Sequence, residues 1–149
     1  MHDKNQDNEP WGIGGGGPDP RDRDGSHHSI NIGTAKSGTP AVAALRMEDL
    51  CIWVIERAAK FPRDHKFTVG DKWVETCLQV TTLLVEASYV RDKLALLAQA
   101  SRGLTRARIL CRIAQRLKLL TAAQREHFGS QSIEIGKMIG GWTRAQRAR

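Results

Sequence analysis

Aromatic residues, cysteines and long apolar runs are all scarce in this sequence. Aromatic side chains make up 5% of its 149 residues, so a helical core of Leu, Ile, Val and Ala is favoured over an aromatic-rich β sandwich. No apolar run approaches the roughly 18 residues that indicate a membrane span, and the polar N-terminus lacks the apolar stretch of a secretion signal. We therefore expect a single-domain cytoplasmic protein with no contact to a membrane.

The three cysteines, Cys51, Cys77 and Cys111, cannot all pair with one another. Each falls on an apolar helical face, where a free thiol behaves as a small hydrophobic side chain. An odd number of cysteines in such positions favours a reducing compartment. The sequence therefore predicts three unpaired thiols in the core of a cytoplasmic protein.

Charge and composition divide the chain at about residue 45. Residues 1–45 carry four basic and six acidic side chains, whereas residues 46–149 carry nineteen basic and ten acidic ones. The first part is rich in glycine and has no apolar period, so it cannot bury enough surface to offset its ordering entropy. Its glycine run lacks the following Gly-Lys-Ser/Thr of a phosphate-binding loop. We predict a disordered tail over 1–45 and one cationic folded domain over 46–149.

Four helices are predicted in the folded part by apolar residues at intervals of three and four. They cover about 46–60, 67–89, 93–119 and a last stretch that starts at Thr121. Because the connections are short, sequential helices should be antiparallel, which predicts an all-α, up-down-up-down four-helix bundle. The inward residues expected for the four helices are, in chain order, Met47, Leu50, Cys51, Val54, Ile55 and Ala58; Val74, Cys77, Leu78, Thr81, Leu84, Val85 and Ser88; Leu97, Ala100, Leu104, Ala107, Leu110, Cys111, Ala114 and Leu117; and Phe128, Ile135, Met138, Ile139 and Trp142.

Local signals indicate where helices begin and end. Pro62 should end the first helix, because the residue before a proline avoids the helical region. Thr121 and Gln124 have the spacing of a capping box at the start of the fourth helix. Gly140 and Gly141 predict that this helix loosens or ends near them, since each glycine costs up to about 1 kcal/mol relative to alanine.

The third helix carries positive charge and no negative charge, since no acidic residue occurs between Asp92 and Glu126. A helix advances about 100° per residue, which places five arginines together opposite the apolar stripe. They are Arg102, Arg106, Arg108, Arg112 and Arg116, and Lys118 follows on the apolar side near the helix end. Like charges four residues apart destabilise a helix by roughly a few tenths of a kcal/mol. Acids of a neighbouring helix or subunit, or a phosphate backbone, must offset this repulsion. We favour nucleic acid or a nucleic-acid-bound partner, because the planar arginine fork can bind phosphate through two hydrogen bonds.

Two isoleucines interrupt the basic arc. Ile109 and Ile113 fall among the arginines, an arrangement typical of a subunit or partner contact in which apolar anchors are rimmed by charge. Isoleucines scattered on a surface are also common and would explain them equally well. Trp142 is expected to be a core or interface anchor rather than a platform for base stacking.

The junction between the first and second helices allows two interpretations. In the structural one, Phe61 and Phe67 cap the end of the bundle, and Gly70 permits a close approach of the backbone. In the functional one, Arg63, His65 and Lys66 form a second basic patch. The structural interpretation is favoured, because a proline and two aromatic side chains suit the end of a bundle.

Catalytic or metal chemistry has little support in the sequence. A di-iron bundle needs inward Glu-x-x-His pairs, and neither His65 nor His127 follows a glutamate by three residues. A zinc site needs clustered cysteines and histidines, whereas the three cysteines fall on three different predicted helices. No nucleophile elbow occurs either. We therefore expect no enzymatic activity, no metal and no cofactor.

Three separated motifs resemble one protein family. They are Phe61-Pro62-Arg63-Asp64-His65-Lys66-Phe67-Thr68-Val69-Gly70-Asp71-Lys72, Ala87-Ser88-Tyr89-Val90-Arg91-Asp92-Lys93-Leu94 and Glu134-Ile135-Gly136-Lys137-Met138-Ile139-Gly140-Gly141-Trp142. Their order and spacing are similar to those of Avd, the accessory variability determinant of diversity-generating retroelements, and of four-helix-bundle relatives found in intervening sequences of rRNA genes. The resemblance covers about Met47 to Trp142 and leaves out the tail.

The resemblance implies a pentameric, ring-like assembly of four-helix protomers with a positively charged surface. Avd proteins bind a reverse transcriptase and its template RNA or cDNA, support mutagenic retrohoming and have no catalytic activity of their own. We therefore expect a non-catalytic accessory subunit that binds nucleic acid through its basic helical face. The alternative is a homo-oligomeric scaffold of the rRNA intervening-sequence type, without a reverse transcriptase, in which the arginines meet acidic protein surfaces.

Overall fold

The computed structural model describes residues 40–149, and within them every regular element is helical. The four long helices are α1 (Pro40–Ala58), α2 (Asp71–Tyr89), α3 (Leu94–Arg116) and α4 (Ala122–Arg147). A helical turn at Arg63–His65 and a π-helical segment at Lys66–Gly70 lead directly into α2. The described part of the chain therefore has the all-α composition that the apolar periods predict.

Each helix packs against two others in an antiparallel bundle. α1 and α3 each contact both α2 and α4. Two contacts show that α3 and α4 run in opposite directions. Arg108 of α3 binds Ser132 of α4. One turn earlier on α3, Leu104 lies beside Gly136, which is one turn later on α4. The predicted up-down-up-down bundle is therefore the architecture observed over residues 40–149.

Trp73 is the centre of an aromatic cluster at the end of the bundle where α1 leads to α2, and its side chain is fully buried. Phe61 stacks on Trp73 with 6.2 Å between ring centroids. The ring of Trp53 meets Trp73 edge-on at 6.2 Å, and the ring of Phe128 does so at 5.3 Å. Each such pair stabilises the fold by about 0.5–1.5 kcal/mol beyond the area that it buries. Phe61 therefore caps this end of the bundle, as predicted.

The junction before α2 confirms one prediction and corrects another. A Cβ atom on Gly70 would lie 3.2 Å from Cδ2 of Phe61, so glycine does permit a close approach here. The prediction that Phe67 caps the bundle beside Phe61 is wrong, because Phe67 is 66% exposed. The reason is that residues 63–70 are already helical. Phe67 is therefore fixed on the outer side of this segment and cannot fold back over the core.

α1 begins at Pro40, well before the predicted start at residue 46. Proline suits the first turn of a helix because its φ is fixed near the helical value and its missing N–H would have no partner there. The alanines that follow are strong helix formers, and Ala43 and Ala44 are buried. Residues 40–45 therefore belong to the bundle rather than to the predicted tail, and the rest of that tail lies outside the described residues.

The predicted inward stripes hold for most positions and are wrong on one side of α2. Leu78 and Val85 are 48% and 37% exposed, whereas Val80, which the predicted stripe omits, is fully buried. α2 packs against α3 as well as against α1. Val80 faces Gly103 of α3, so the buried arc of α2 includes this position and leaves Leu78 and Val85 outside it. Ile55 and Leu117, also predicted to face inward, are 41% and 43% exposed, and Ser88 of the predicted α2 stripe is exposed as well.

α4 continues through Gly140 and Gly141 to Arg147, so the predicted break is wrong. Ile139 and Trp142, the residues on either side of the two glycines, are buried in the core. Their burial fixes the backbone on both sides and offsets the weak helix propensity of glycine.

The predicted capping box at the start of α4 is confirmed. The backbone N–H of Gln124 donates to Oγ1 of Thr121 at 3.0 Å, and the backbone N–H of Thr121 donates to Oε1 of Gln124 at 2.9 Å. Two backbone donors that the helix leaves without partners are satisfied in this way.

α3 approaches α2 closely at Gly103. A Cβ atom at this position would lie 2.6 Å from Cγ2 of Val80, closer than side chains approach one another. Val80 is fully buried, and its branched side chain has one strongly preferred rotamer in a helix. The missing side chain at Gly103 therefore sets the distance between α2 and α3.

We predict that Gly103→Ala destabilises the bundle. Overpacking costs about 1–3 kcal/mol, which outweighs the gain of up to about 1 kcal/mol from better helix propensity. Gly129→Ala is the matched control, since a Cβ there meets nothing within 4 Å, and it should raise the free energy of unfolding. Urea denaturation measures both changes.

The double variant Gly103→Ala/Val80→Ala lacks the Cγ2 atom of Val80 that the new Cβ would meet. It should therefore lose less unfolding free energy than the sum of the losses in the two single variants. Additive costs, or a Gly103→Ala protein as stable as Gly129→Ala, would contradict the close approach.

Candidate nucleic-acid and partner interface

α3 presents an outward face of exposed guanidinium groups. They belong to Arg102, Arg106, Arg112 and Arg116. Two ion pairs are found among residues 40–149, Lys72 with Glu75 and Lys137 with Glu134, and neither involves α3. Within the described part of the chain, no carboxylate therefore neutralises the arginines of this helix, and their field extends into solvent.

Arg108 differs from the other arginines of α3 because it spans the contact between α3 and α4. Its Nε donates to Oγ of Ser132 at 3.0 Å, and its Nη2 donates to the backbone oxygen of Ser132 at 2.8 Å. A Cβ on Gly136 would lie 2.9 Å from Nη2, so any larger residue at this position would force the guanidinium to shift. The prediction that Arg108 lies with the others on the outward face is wrong. It is half-buried, because its side of α3 faces α4.

Ile109 and Ile113 lie on the outward side of α3 among the arginines, 41% and 40% exposed. Both side chains are therefore accessible enough to act as the predicted contact anchors. Trp142 is 6% exposed and belongs to the core, with Nζ of Lys93 5.7 Å from its ring centroid. Of the two roles considered for Trp142, the structure shows the core one, and its burial leaves little surface for an interface.

The remaining predicted basic residues lie at one end of the bundle. Lys118 follows α3 with a left-handed φ of 64° and is exposed. Its backbone N–H donates to the oxygen of Gln115 at 2.8 Å, which ends the helix. Arg63 is exposed and Lys66 is half-buried, and both precede α2. Because α2 and α3 are antiparallel, Arg63 and Lys66 lie at the same end of the bundle as Lys118.

A groove between α3 and α4 adds a feature that the sequence does not predict. One section has a volume of about 600 Å³, and its lining includes the apolar side chains of Cys111, Phe128 and Ile133 and the guanidinium groups of Arg108, Arg112 and Arg125. The adjoining section has a volume of about 390 Å³, and its lining includes Leu104, Gly136, Gly140, Lys137 and Arg144. The groove is therefore apolar at its base and mainly basic at its rim.

One signal in the sequence could have indicated this groove. Gly129, Ile133, Gly136 and Gly140 recur on α4 at intervals of three and four residues, and all four line the groove. The three glycines of this row leave room beside the helix. The arginines of α3 can be found from charge alone, but the basic residues of α4 are mixed with acids along the sequence.

All three cysteines are buried and unpaired, as predicted. Burial raises the pKa of the Cys111 thiol to about 11, and the charge of the nearby Arg125 offsets part of this effect. Burial also raises the pKa of Cys77 and of Cys51. Reactivity needs the thiolate, so these thiols serve as packing groups at neutral pH.

Within residues 40–149, no three His, Cys, Asp or Glu side chains are arranged to hold a metal ion. None of the helices described here is both long enough and apolar enough to cross a membrane.

Fold and charge together define this molecule as a basic four-helix-bundle protein with its positive charge concentrated on α3. Comparison with family models is more specific, because the model described as bAvd-like matches residues 41–146. The chain belongs to the bAvd-like family, which confirms the resemblance drawn from the three motifs. A search of curated proteins finds no match.

We predict that Arg108 contributes to stability and that Arg112, one turn later, does not. Arg108→Ala removes two charge-assisted hydrogen bonds, each of which contributes about 1.5–3 kcal/mol, and the packing of the side-chain stem. Arg112→Ala removes the same atoms and the same charge from an exposed position and should change stability by less than about 0.5 kcal/mol. Equal unfolding free energies for the two variants in urea would contradict the role of Arg108.

Proposed function

We propose that this protein is a non-catalytic accessory subunit that binds a retroelement reverse transcriptase and its template RNA or cDNA, and so supports mutagenic retrohoming. Membership of the bAvd-like family supports an accessory protein of the Avd type. The observation that carries the nucleic-acid part is the set of exposed arginines on α3, for which the described residues supply no carboxylate. A phosphate backbone would supply the missing negative charge.

The structure changes which basic residues the proposal uses. Arg102, Arg106, Arg112 and Arg116 are exposed and have charge to offer. Arg108 already donates to Ser132, so we assign it to positioning α3 against α4. The basic residues at the bundle end (Lys118, Arg63 and Lys66) extend the cationic surface beyond the end of α3.

We also propose that the protein assembles head to tail with copies of itself, in the pentameric ring that its family resemblance implies. α1 and α2 hold six of the ten acidic residues of the described chain, whereas α3 holds none. The same two helices expose Ile52 and Leu78, at 53% and 48%. An acidic surface with apolar anchors on α1 and α2 is complementary to the basic surface with Ile109 and Ile113 on α3.

Two different complementary surfaces on one protomer favour a heterologous contact, which closes into a ring when the rotation between subunits permits it. In such a ring, part of the outward face of α3 would be covered by the next subunit. The remaining arginines and the bundle end would stay available to a polyanion.

The second candidate function is a homo-oligomeric scaffold of the rRNA intervening-sequence type, without a reverse transcriptase. The concentration of acids on α1 and α2 is the observation that favours it, because all exposed arginines of α3 could then pair with carboxylates of the neighbouring subunit. The two candidates make different predictions for nucleic-acid binding.

We predict that binding to single-stranded RNA weakens as salt rises and depends on Arg112 and Arg116. Removal of one phosphate-binding side chain makes the slope of log K against log salt shallower by about 0.7 for a single strand. Arg112→Glu/Arg116→Glu should therefore bind more weakly and with a slope at least about 1.4 units shallower. Fluorescence anisotropy at several salt concentrations measures both quantities.

The control variant Arg46→Glu/Arg147→Glu changes the net charge by the same amount at exposed positions away from α3 and from the bundle end that carries Lys118, Arg63 and Lys66. Equal weakening by both pairs would mean that only net charge matters. Binding that does not depend on salt would remove the phosphate contact and favour the scaffold function.

We predict that Ile109→Glu/Ile113→Glu reduces the mass of the assembly in solution. Carboxylates in place of apolar anchors would face the acids of α1 and α2 and repel them. Light scattering after size-exclusion chromatography measures the mass. Phe67→Glu/Tyr89→Glu is the control at exposed apolar positions, 66% and 75% accessible, near the two ends of α2. An unchanged mass for the isoleucine variant would exclude this face of α3 from the contact between subunits.

A further inference from the structure

A small polar pocket lies on the side of α3 that faces α2, whereas the groove lies on the side that faces α4. Its volume is about 230 Å³, several times the roughly 30 Å³ that one molecule of liquid water occupies. It is lined by residues of both helices, which are Gln79, Leu83, Gln99, Arg102, Gly103 and Arg106. Within the described part of the chain, the lining therefore has two guanidinium groups, two amides and no carboxylate.

The close approach of α2 and α3 at Gly103 brings these side chains together. Gly103 lies directly against Val80, and Gln79 is the residue before Val80 on α2. Arg102 and Arg106 are four residues apart, so they are neighbours on the surface of α3. An amide of α2 and the guanidinium groups of α3 consequently line one pocket, although they are distant in the sequence.

The polar side chains of the pocket have no partner among residues 40–149. The side-chain hydrogen bonds of α2 and α3 are made by threonines, one serine and Arg108. Glu75, one turn before the pocket on α2, pairs with Lys72 at 3.5 Å. Neither Glu75 nor Glu86, the acidic residues that flank the pocket in the sequence of α2, lines it. The donors of the pocket are therefore available to a ligand.

The number and the arrangement of these donors favour a phosphate group over a carboxylate. Each guanidinium offers about five N–H donors and each amide about two, whereas a carboxylate has about four acceptor sites on its two oxygens. The oxygens of a phosphate group are arranged tetrahedrally, so they can accept hydrogen bonds from donors on two helices at once. A guanidinium can bind phosphate through two parallel hydrogen bonds, and an amide adds a hydrogen bond that carries no charge.

We propose that this pocket binds a phosphate group, with Arg102 and Arg106 offsetting its charge and Gln79 and Gln99 donating to its oxygens. The source of the group rests on the proposed function, in which it belongs to the backbone of the template RNA or cDNA. The pocket then holds one phosphate in a fixed position, while the other exposed arginines of α3 attract the strand through charge alone.

Protection of arginines from phenylglyoxal, which modifies accessible guanidinium groups, tests the pocket directly. The probes are a short single-stranded RNA, uridine monophosphate, inorganic phosphate and a glutamate peptide with the same charge as the RNA. Mass spectrometry of the digested protein locates the modified residues. RNA should protect Arg102 and Arg106 at a concentration at least about tenfold below that of the peptide, because phosphate accepts more of the donors. Equal protection by the peptide would overturn the proposal, as would arginines that react equally fast with and without every probe.

A neutral pair of variants separates the pocket from general charge attraction. Gln79→Ala/Gln99→Ala should weaken RNA binding by at least about tenfold, because it removes two hydrogen bonds to a charged group. The slope of log K against log salt should stay unchanged, since no charge is lost. The matched control is Gln115→Ala/Gln131→Ala, at half-buried positions that line neither the pocket nor the groove, and it should leave the affinity unchanged. Equal affinities for the two variants would contradict a phosphate in the pocket.

The outcomes distinguish this proposal from the proposed function. RNA binding that depends on Arg112 and Arg116, while Arg102 and Arg106 stay reactive, would overturn the pocket and leave the function in place. Protection by uridine monophosphate or inorganic phosphate in a protein that does not bind RNA would support the phosphate site and refute the nucleic-acid function.

Discussion

The uneven packing of α3 between its two neighbours determines most of the surface of this bundle. On one side, the missing side chain of Gly103 lets α3 approach Val80 of α2. On the other side, the guanidinium of Arg108 lies between the helices and binds Ser132 of α4. A planar polar group therefore occupies the contact between α3 and α4, where a single hydrogen suffices at the contact between α3 and α2. The two sections of the groove between α3 and α4 lie on either side of this guanidinium group and are both lined by it.

The hydrogen bonds of Arg108 have a consequence for the charge of the whole molecule. Ser132 satisfies the guanidinium with a hydroxyl and a carbonyl oxygen, both neutral, so the polar requirement is met while the positive charge remains. The acids of the described chain lie mostly on α1 and α2, whereas α3 has none. The described part of the chain is therefore electrostatically polarised. Such a molecule is suited both to contact with its own copies and to contact with a polyanion, because either partner can offset the charge of α3.

Features that depend on local chemistry could be predicted from the sequence. Features that depend on contacts with residues distant in the sequence could not. Helix number, the capping box at Thr121 and the burial of the cysteines follow from apolar spacing and short-range hydrogen bonds. Arg108 and Arg112 are both arginines and lie one turn apart on α3. Arg108 binds Ser132 and passes beside Gly136, whereas Arg112 is exposed. Neither position carries a local signal of this difference. The continuation of α4 through Gly140 likewise depends on burial of its neighbours, which periodicity does not specify.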